Sequence, residues 1–126
     1  TNKEQDALFL KRPKVTNAKG GQSIHNYGLA FDIVLLYDQD GNGTFEQASW
    51  STIRDFDENS KADWRTITDF FRSRGWEHGG SWKSFKDEPH FQAKKQNGTS
   101  WTWRELKALV DSGKIIKDSN VIYPKI

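Results

Sequence analysis
His25 lies seven positions before Asp32, with Gly28 between them opening an apolar run, and this is spacing that can serve a metal. A loop histidine and an aspartate directed inward from a strand meet at one ion if the chain folds back at the glycine, and imidazole with carboxylate suits Zn²⁺. A third ligand must come from elsewhere, and the other histidines are His78 and His90. With His90 the set is His25, Asp32 and His90, three protein ligands and an open fourth position, which is the arrangement of catalytic zinc and not of closed structural sites. Such an ion lowers the pKa of water to about 7, and a neighbouring carboxylate can take the proton. Asp87 and Glu88 both stand close enough in sequence to His90. On a regular strand, period two puts Glu88 on the face of His90 and Asp87 on the other, which favours Glu88; a bend at Pro89 would turn Asp87 back towards the metal. Each histidine alone has a plain structural reading as a hydrogen-bonded core or surface residue. The combination with an inward aspartate and paired carboxylates is what points to a metal.

The elements that must position these groups are legible in outline. Lys3 to Leu10 reads as a short helix stopped by Pro13, and Val15 to Gln22 as a glycine loop that delivers His25. Leu29 to Tyr37 is nearly continuous apolar sequence broken only by Asp32, which reads as a strand buried on both faces whose aspartate needs a metal or a cation. Asp38-Gln39-Asp40-Gly41-Asn42-Gly43-Thr44 resembles the first half of a calcium loop, but Ser49 stands where the bidentate Glu belongs and no helices flank it. A solvated hairpin turn into Thr44-Phe45-Glu46 is the favoured reading, with Ser49 to Phe56 continuing the second strand. Calcium binding at Asp38 to Thr44 is the minority alternative, and predicts a calcium-dependent rise in melting temperature. Ser60 caps a helix to about Arg74 with a core stripe of Trp64, Ile67, Phe70 and Phe71, stopped by Gly75. Trp76 to Trp82 is an aromatic-rich glycine turn. Asp87 to Gln92 is extended, and Thr102 to Glu105 is a capping box opening a helix with Leu106, Leu109 and Val110 inward and Gly113 at its end. Val121 to Tyr123 reads as a last strand, and no internal repeat is evident.

Ser23-x-His25-x-x-Gly28-x-Ala30-x-Asp32, followed by Gly79-Gly80-Ser81-Trp82 and Asp87-x-Pro89-His90-Phe91, resembles the zinc D-alanyl-D-alanine carboxypeptidase family. The likeness is greatest to its L-alanyl-D-glutamate endopeptidase branch, found in phage endolysins and bacterial cell-wall hydrolases. It runs from Glu4-Gln5 to Phe91 and is weakest after Gln96. The resemblance implies an α+β fold with a small central antiparallel sheet flanked by helices, shared with hedgehog-type and lysostaphin-type domains, and zinc in a surface groove. By position it implies His25, Asp32 and His90 as zinc ligands and Asp87, over Glu88, as the catalytic carboxylate. Ser23 would lie near substrate, with a hydrogen bond either to the substrate or to a group that supports the metal ligands, and Trp82 with the Gly79-Gly80 turn would form one wall of the groove. His78 stands where related chains carry an aromatic residue; it would hydrogen-bond substrate or steady the tetrahedral intermediate, unless it is a solvent-facing loop histidine. The family's arginine before the first helix would fall upstream of Thr1, so the chain is expected to be a trimmed form of a longer one.

Composition sets the bounds. Lys and Arg number 19 against 17 Asp and Glu, and a net charge of +2 gives no basic patch of the kind that holds nucleic acid. The absence of cysteine excludes disulfides and thiolate zinc. No apolar stretch approaches the ~18 residues of a membrane span. The expectation is a single domain over residues 1–126, a monomeric zinc peptidase acting on peptidoglycan stem peptides. Its place would be the bacterial cell envelope or exterior, or, for a phage endolysin, the host cytoplasm and then the periplasm. The rivals are a D-alanyl-D-alanine carboxypeptidase and a non-catalytic module that binds cell-wall peptide.

Overall fold
In the computed structural model, which describes residues 1–10 and 18–126, the chain runs α1 (Asn2–Leu10), β1 (Ala30–Asp32), β2 (Leu35–Tyr37), β3 (Gln47–Ser49), α2 (Asp63–Ser73), β4 (Trp76–His78), β5 (His90–Ala93), α3 (Trp103–Asp111), β6 (Ile115–Asp118) and β7 (Val121–Pro124). Two 3₁₀ turns, Ile24–Tyr27 and Gly79–Ser81, interrupt it. The fold is α+β with small antiparallel sheets: in place of the one central sheet expected, the strands form a three-stranded sheet in the order β1-β5-β4 and two hairpins, β2-β3 and β6-β7. The chain divides into two units, Thr1–Phe31 with Ala93–Ile126, and Asp32–Gln92. No helix among the described residues is long and apolar enough to cross a membrane.

In the first unit, α3 is the best-specified element. Thr102 accepts from the Glu105 amide at 3.3 Å while the Glu105 carboxylate accepts from the Thr102 amide at 2.8 Å, which satisfies two of the donors a helix start leaves open. Leu106 is fully buried, and Gly113 at φ 77° ends the helix as expected. The helix α1 forms as predicted and is tied to the following loop by Gln5, whose side-chain amide donates to the Ala18 carbonyl at 2.9 Å. Its stop at Pro13 falls outside the described residues. The β6 strand, absent from the sequence expectation, pairs with β7 from Ile115↔Pro124 to Asp118↔Val121.

The expected continuous strand from Leu29 to Tyr37 is two short strands in different sheets, and exposure alternates along it. Tyr37 is buried while Leu36 is half exposed, so β2 has one covered face and the apolar run had concealed a period of two. The hairpin β2-β3 pairs Leu35↔Ser49 to Tyr37↔Gln47, and its connection is a long loop, residues 38–46, not a tight turn. Its second strand ends at Ser49, short of the expected Phe56. Asp38 holds that loop by accepting from the Asn42 and Gly43 amides, and the pattern recurs where no repeat was foreseen: Asp55 accepts from the Asn59 and Ser60 amides. That second loop places Ser60 at φ 68°, so Ser60 does not cap α2; the cap position is Ala62, with no side-chain bond. The covered face of α2 is Trp64 and Thr68 with Ile67 and Phe71 beside them, and Phe70 lies off it, its ring under the Arg74 guanidinium at 3.6 Å. Gly75 stops the helix at φ 88°.

Candidate metal centre
Two backbone bonds fix the register that matters. The Ala93 amide donates to the Leu29 carbonyl at 2.8 Å, and the Ile33 amide donates to the Pro89 carbonyl at 3.1 Å. Antiparallel pairing with those ends sets Asp32 opposite His90 at a position without backbone bonds between the pair, where facing side chains come closest. His90 Nδ1 accordingly lies 3.2 Å from an Asp32 carboxylate oxygen. The His90 side chain is buried, but that of Asp32 is 57% exposed, which overturns the reason first given for it: Asp32 is no carboxylate sunk in apolar sequence. It needs no rescue from burial, and it is open to a ligand.

The tautomer of His90 follows from its surroundings. Gln92, two residues on along β5 and so on the same face, donates its amide nitrogen to Glu77 Oε2 at 2.8 Å. A carboxylate only accepts, which turns the amide oxygen of Gln92 towards His90 Nε2 at 2.9 Å and requires that nitrogen to carry hydrogen. In the neutral ring the lone pair of His90 therefore belongs to Nδ1, on the Asp32 side, and the Asp32 carboxylate accepts a hydrogen bond there only from the protonated ring. Glu77 also accepts from the Trp82 indole at 3.2 Å, and the Trp82 ring sits 5.2 Å from the His90 ring. The chain Trp82–Glu77–Gln92–His90 is the outer support that metal-binding histidines use, with the second ring nitrogen donated to an oxygen. Burial draws the His90 pKa down, but the hydrogen bonds that Asp32 and Gln92 accept from the protonated ring and the charges of Asp32 and Asp87 outweigh it, and the net direction is up. A group held that way binds a proton or, in its stead, a cation. Glu77 and Gln92 were not singled out from sequence, although Gln92 at two residues from His90 carried the signal.

Strand parity does not reach Glu88. The His90 amide donates to the Asp87 carbonyl at 3.2 Å, closing a turn over residues 87–90, and β5 begins only at His90. The turn sends the two carboxylates apart. Asp87 acts on His90, whose pKa it raises, while Glu88 Oε2 lies 3.5 Å from His78 Nε2. Gly79 explains how Asp87 comes so near: a Cβ there would lie 2.5 Å from the Asp87 carbonyl oxygen and 3.1 Å from His90 Cβ, so only glycine allows this approach. The Asp87 amide in turn donates to the Gly79 carbonyl at 3.2 Å. His78 is not a solvent-facing loop histidine. It ends β4 buried, stacked on Phe91 at 4.8 Å, and its Nε2 lies 2.7 Å from the Glu88 carbonyl, to which it donates. Phe91, pointing opposite to His90 and Gln92, packs on Phe71 at 4.9 Å and is fully buried.

Ser23 and His25 belong to the first unit. The Ser23 side chain caps the 3₁₀ turn by accepting from the His25 amide at 3.3 Å, and the Gly28 amide donates to the His25 carbonyl at 3.1 Å. Gly28 has φ 71°, and a Cβ on it would strike the Tyr123 ring at 2.7 Å. The backbone on both sides of His25 is thus pinned, with Tyr27 buried beside it and its hydroxyl donating to the Gly21 carbonyl at 2.7 Å. Ser23 serves this turn directly, a use that its sequence spacing did not suggest.

The donor chemistry fits zinc. A carboxylate and an imidazole whose outer nitrogen is committed to an amide form a possible His/Asp metal site, and Trp82 shields one side of it. A second group of acids, Asp55, Asp57 and Asp63, offers oxygens within 4.8 Å of one another. Asp63 accepts from the Tyr37 hydroxyl at 2.8 Å and from the Phe56 amide at 2.9 Å, so these carboxylates already hold the protein's own donors.

Residues 16–93 match the protein family described as D-alanyl-D-alanine carboxypeptidase. Among individual proteins, the chain is 42% identical over 95 residues to the peptidoglycan L-alanyl-D-glutamate endopeptidase CwlK of Bacillus subtilis (strain 168). That alignment covers 71% of this chain and 53% of the relative, so the chain spans about half the length of the curated protein it matches.

Proposed function
We propose that this chain, which belongs to the D-alanyl-D-alanine carboxypeptidase family, is a zinc peptidase that hydrolyses an amide bond in the peptide stems of peptidoglycan, at the L-alanyl-D-glutamate linkage. The observation that carries the reading is the Asp32–His90 pair at 3.2 Å, backed by Gln92 and Glu77 so that His90 keeps its lone pair on the side of the carboxylate. His25 would complete the ligand set, its spacing from Asp32 and its doubly pinned turn both suiting a third donor. Zinc, when bound, supplies a Lewis acid that makes water nucleophilic near neutral pH and polarises the scissile carbonyl.

The remaining work falls to the chain. Asp87, exposed and beside His90, is the base that takes the proton of the attacking water and returns it to the leaving amine. Glu88, its carboxylate turned to His78, is the weaker alternative. Trp82 supplies an apolar wall while its indole holds Glu77 in place. Ser23 acts by fixing the His25 turn, and His78 by fastening β4 to the turn that carries Asp87, rather than by touching substrate. The substrate class is taken from the relative's activity, and a chain acting on that substrate would meet it in the bacterial cell envelope, as a resident or secreted protein or as a phage endolysin.

Digestion of purified peptidoglycan by the zinc-loaded protein tests the proposal. New amino-terminal glutamate is the expected product. Release of free D-alanine instead would make the chain a carboxypeptidase, and no new amino terminus of any kind would leave only a binding module.

A further inference from the structure
Beside the turn that carries Asp87, and wholly within the second unit, lies a cleft of about 240 Å³ between α2 and the Gly79–Ser81 turn. Its lining includes Trp64, Arg65, Thr68, Arg72, His78 and Glu88. Two of these are polar groups without a partner. The Trp64 indole nitrogen and the Thr68 hydroxyl are buried and make no hydrogen bond among the described residues, in residues that are only 4% and 7% exposed. An unpaired buried donor costs about 1–3 kcal/mol, and two side by side on the wall of one cleft call for an acceptor to enter it. The guanidinium groups of Arg65 and Arg72 flank them, one turn of helix to either side of Thr68, and form no hydrogen bond or short ion pair among the described residues. Asp69, the acid on whose pKa both act, is bonded to Lys61 at 2.8 Å. Glu88, the single acid lining the cleft among the described residues, is turned to His78 at 3.5 Å.

We propose that this cleft is a carboxylate subsite, which binds an acidic group of the peptide substrate through Arg65 and Arg72 with Thr68 and Trp64 as neutral donors. Two cations against one acid leave an excess of positive charge, and planar guanidinium donors match a carboxylate. The cleft is also in the right place. Gly79 abuts Asp87 and His90, whereas Gly80, the next residue, abuts Glu88 and His78: a Cβ on Gly80 would collide with Glu88 Oε2 and lie 2.5 Å from His78 Cε1. Gly79 thus touches the residue that carries the proposed base, and its neighbour Gly80 lines the cleft. A peptide lying across it sets a carboxylate on one side and an amide bond on the other. The inference rests on the peptidase reading for the identity of that peptide, a stem whose glutamate has a free α-carboxyl group.

Two readouts separate this inference from the reading it rests on. The first is binding: the Trp64 indole proton, assigned with Trp64→Phe, is followed by NMR while the alanyl-glutamyl-lysine tripeptide is added as the free acid and as its glutamate α-amide. The free acid shifts that resonance saturably, the amide does not, and acetate at equal ionic strength does not. Equal response to acid and amide, or to acetate, overturns the subsite. This holds even if the protein hydrolyses nothing, in which case the activity reading fails alone. The second is selectivity: the acid is expected to have a KM about tenfold below that of the amide, as for one charge-assisted hydrogen-bonded pair, with similar kcat. In an Arg65→Gln, Arg72→Gln variant, which alters only exposed helix positions, that ratio collapses towards one. A variant that still prefers the acid tenfold overturns the assignment to these arginines.

Discussion
Asp32 with His90, and Asp55 with Asp57 and Asp63, are two gatherings of ligand-type side chains in one unit of the molecule, and they are built in opposite ways. In the acidic group the oxygens face inward on their own chain: Asp55 accepts from Asn59 at 3.1 Å and Ser60 at 2.8 Å, Asp57 from the Asn59 side chain at 2.8 Å, and Asp63 from Tyr37 and Phe56. Their convergence is explained by the loop they close. In the histidine group the support comes from behind. Gln92 accepts from the nitrogen of His90 that faces away, Glu77 holds Gln92 in turn, and the nitrogen facing Asp32 is left for a proton or a cation. Proximity of acids is therefore a poor guide to a metal centre, and an outer partner that fixes a tautomer is a better one.

The contrast can be broken or sharpened by substitution. The largest effect is expected at Asp87, where Asp87→Ala should lower kcat by about 10²–10⁴, the range of general-base contributions, while stoichiometric zinc is retained. Glu88→Ala should cost far less, and the reverse order in steady-state rates would return the base to Glu88. Next comes the support of His90: Gln92→Leu should weaken zinc about 10–100-fold in competition with a chelator, through loss of the fixed tautomer. The acidic loop should behave otherwise. Asp55→Ala removes the acceptor of the exposed Ser60 amide and one of the two acceptors of the Asn59 amide, which Asp57 also holds, and should destabilise by about 1 kcal/mol in urea titration, with zinc affinity unchanged. The smallest effect is confined to alkaline pH. Burial and the bond to Asp63 push the Tyr37 pKa from 10 up to about 12. Its folded-state pKa is thus above the unfolded one, so its contribution is complete below pH 10 and is lost as pH rises from there to about 12. Thermal melts across that window should show a steeper loss for the wild type than for Tyr37→Phe, and parallel curves would refute the assignment.

How much of this was legible in sequence differs between residues. The capping box at Thr102 and Glu105, the glycine stops at Gly75 and Gly113 and the covered side of α3 were readable, because local bonds and periodicity determine them. The Asp38 loop was read as a hairpin turn, and the Asp55 loop as a strand end followed by a helix cap at Ser60, because side-chain-to-amide bonds compete with these and leave the same residue types behind. Asp32 was named for a wrong reason: its apolar neighbours suggested burial, but the strand breaks after it and alternates outward. The choice between Asp87 and Glu88 turned on whether β5 extends through Pro89, and proline before the strand makes a turn there instead. Glu77 lay beyond reach, since its role depends on β4 and β5 sharing a sheet, a contact that no local pattern announces.

The most direct test is an anomalous-difference map at the zinc absorption edge from crystals grown with zinc. The account predicts one strong peak at the Asp32–His90 pair, within bonding distance of His90 Nδ1, and none at Asp55, Asp57 and Asp63. A peak in the acidic loop with none at His90 would contradict it.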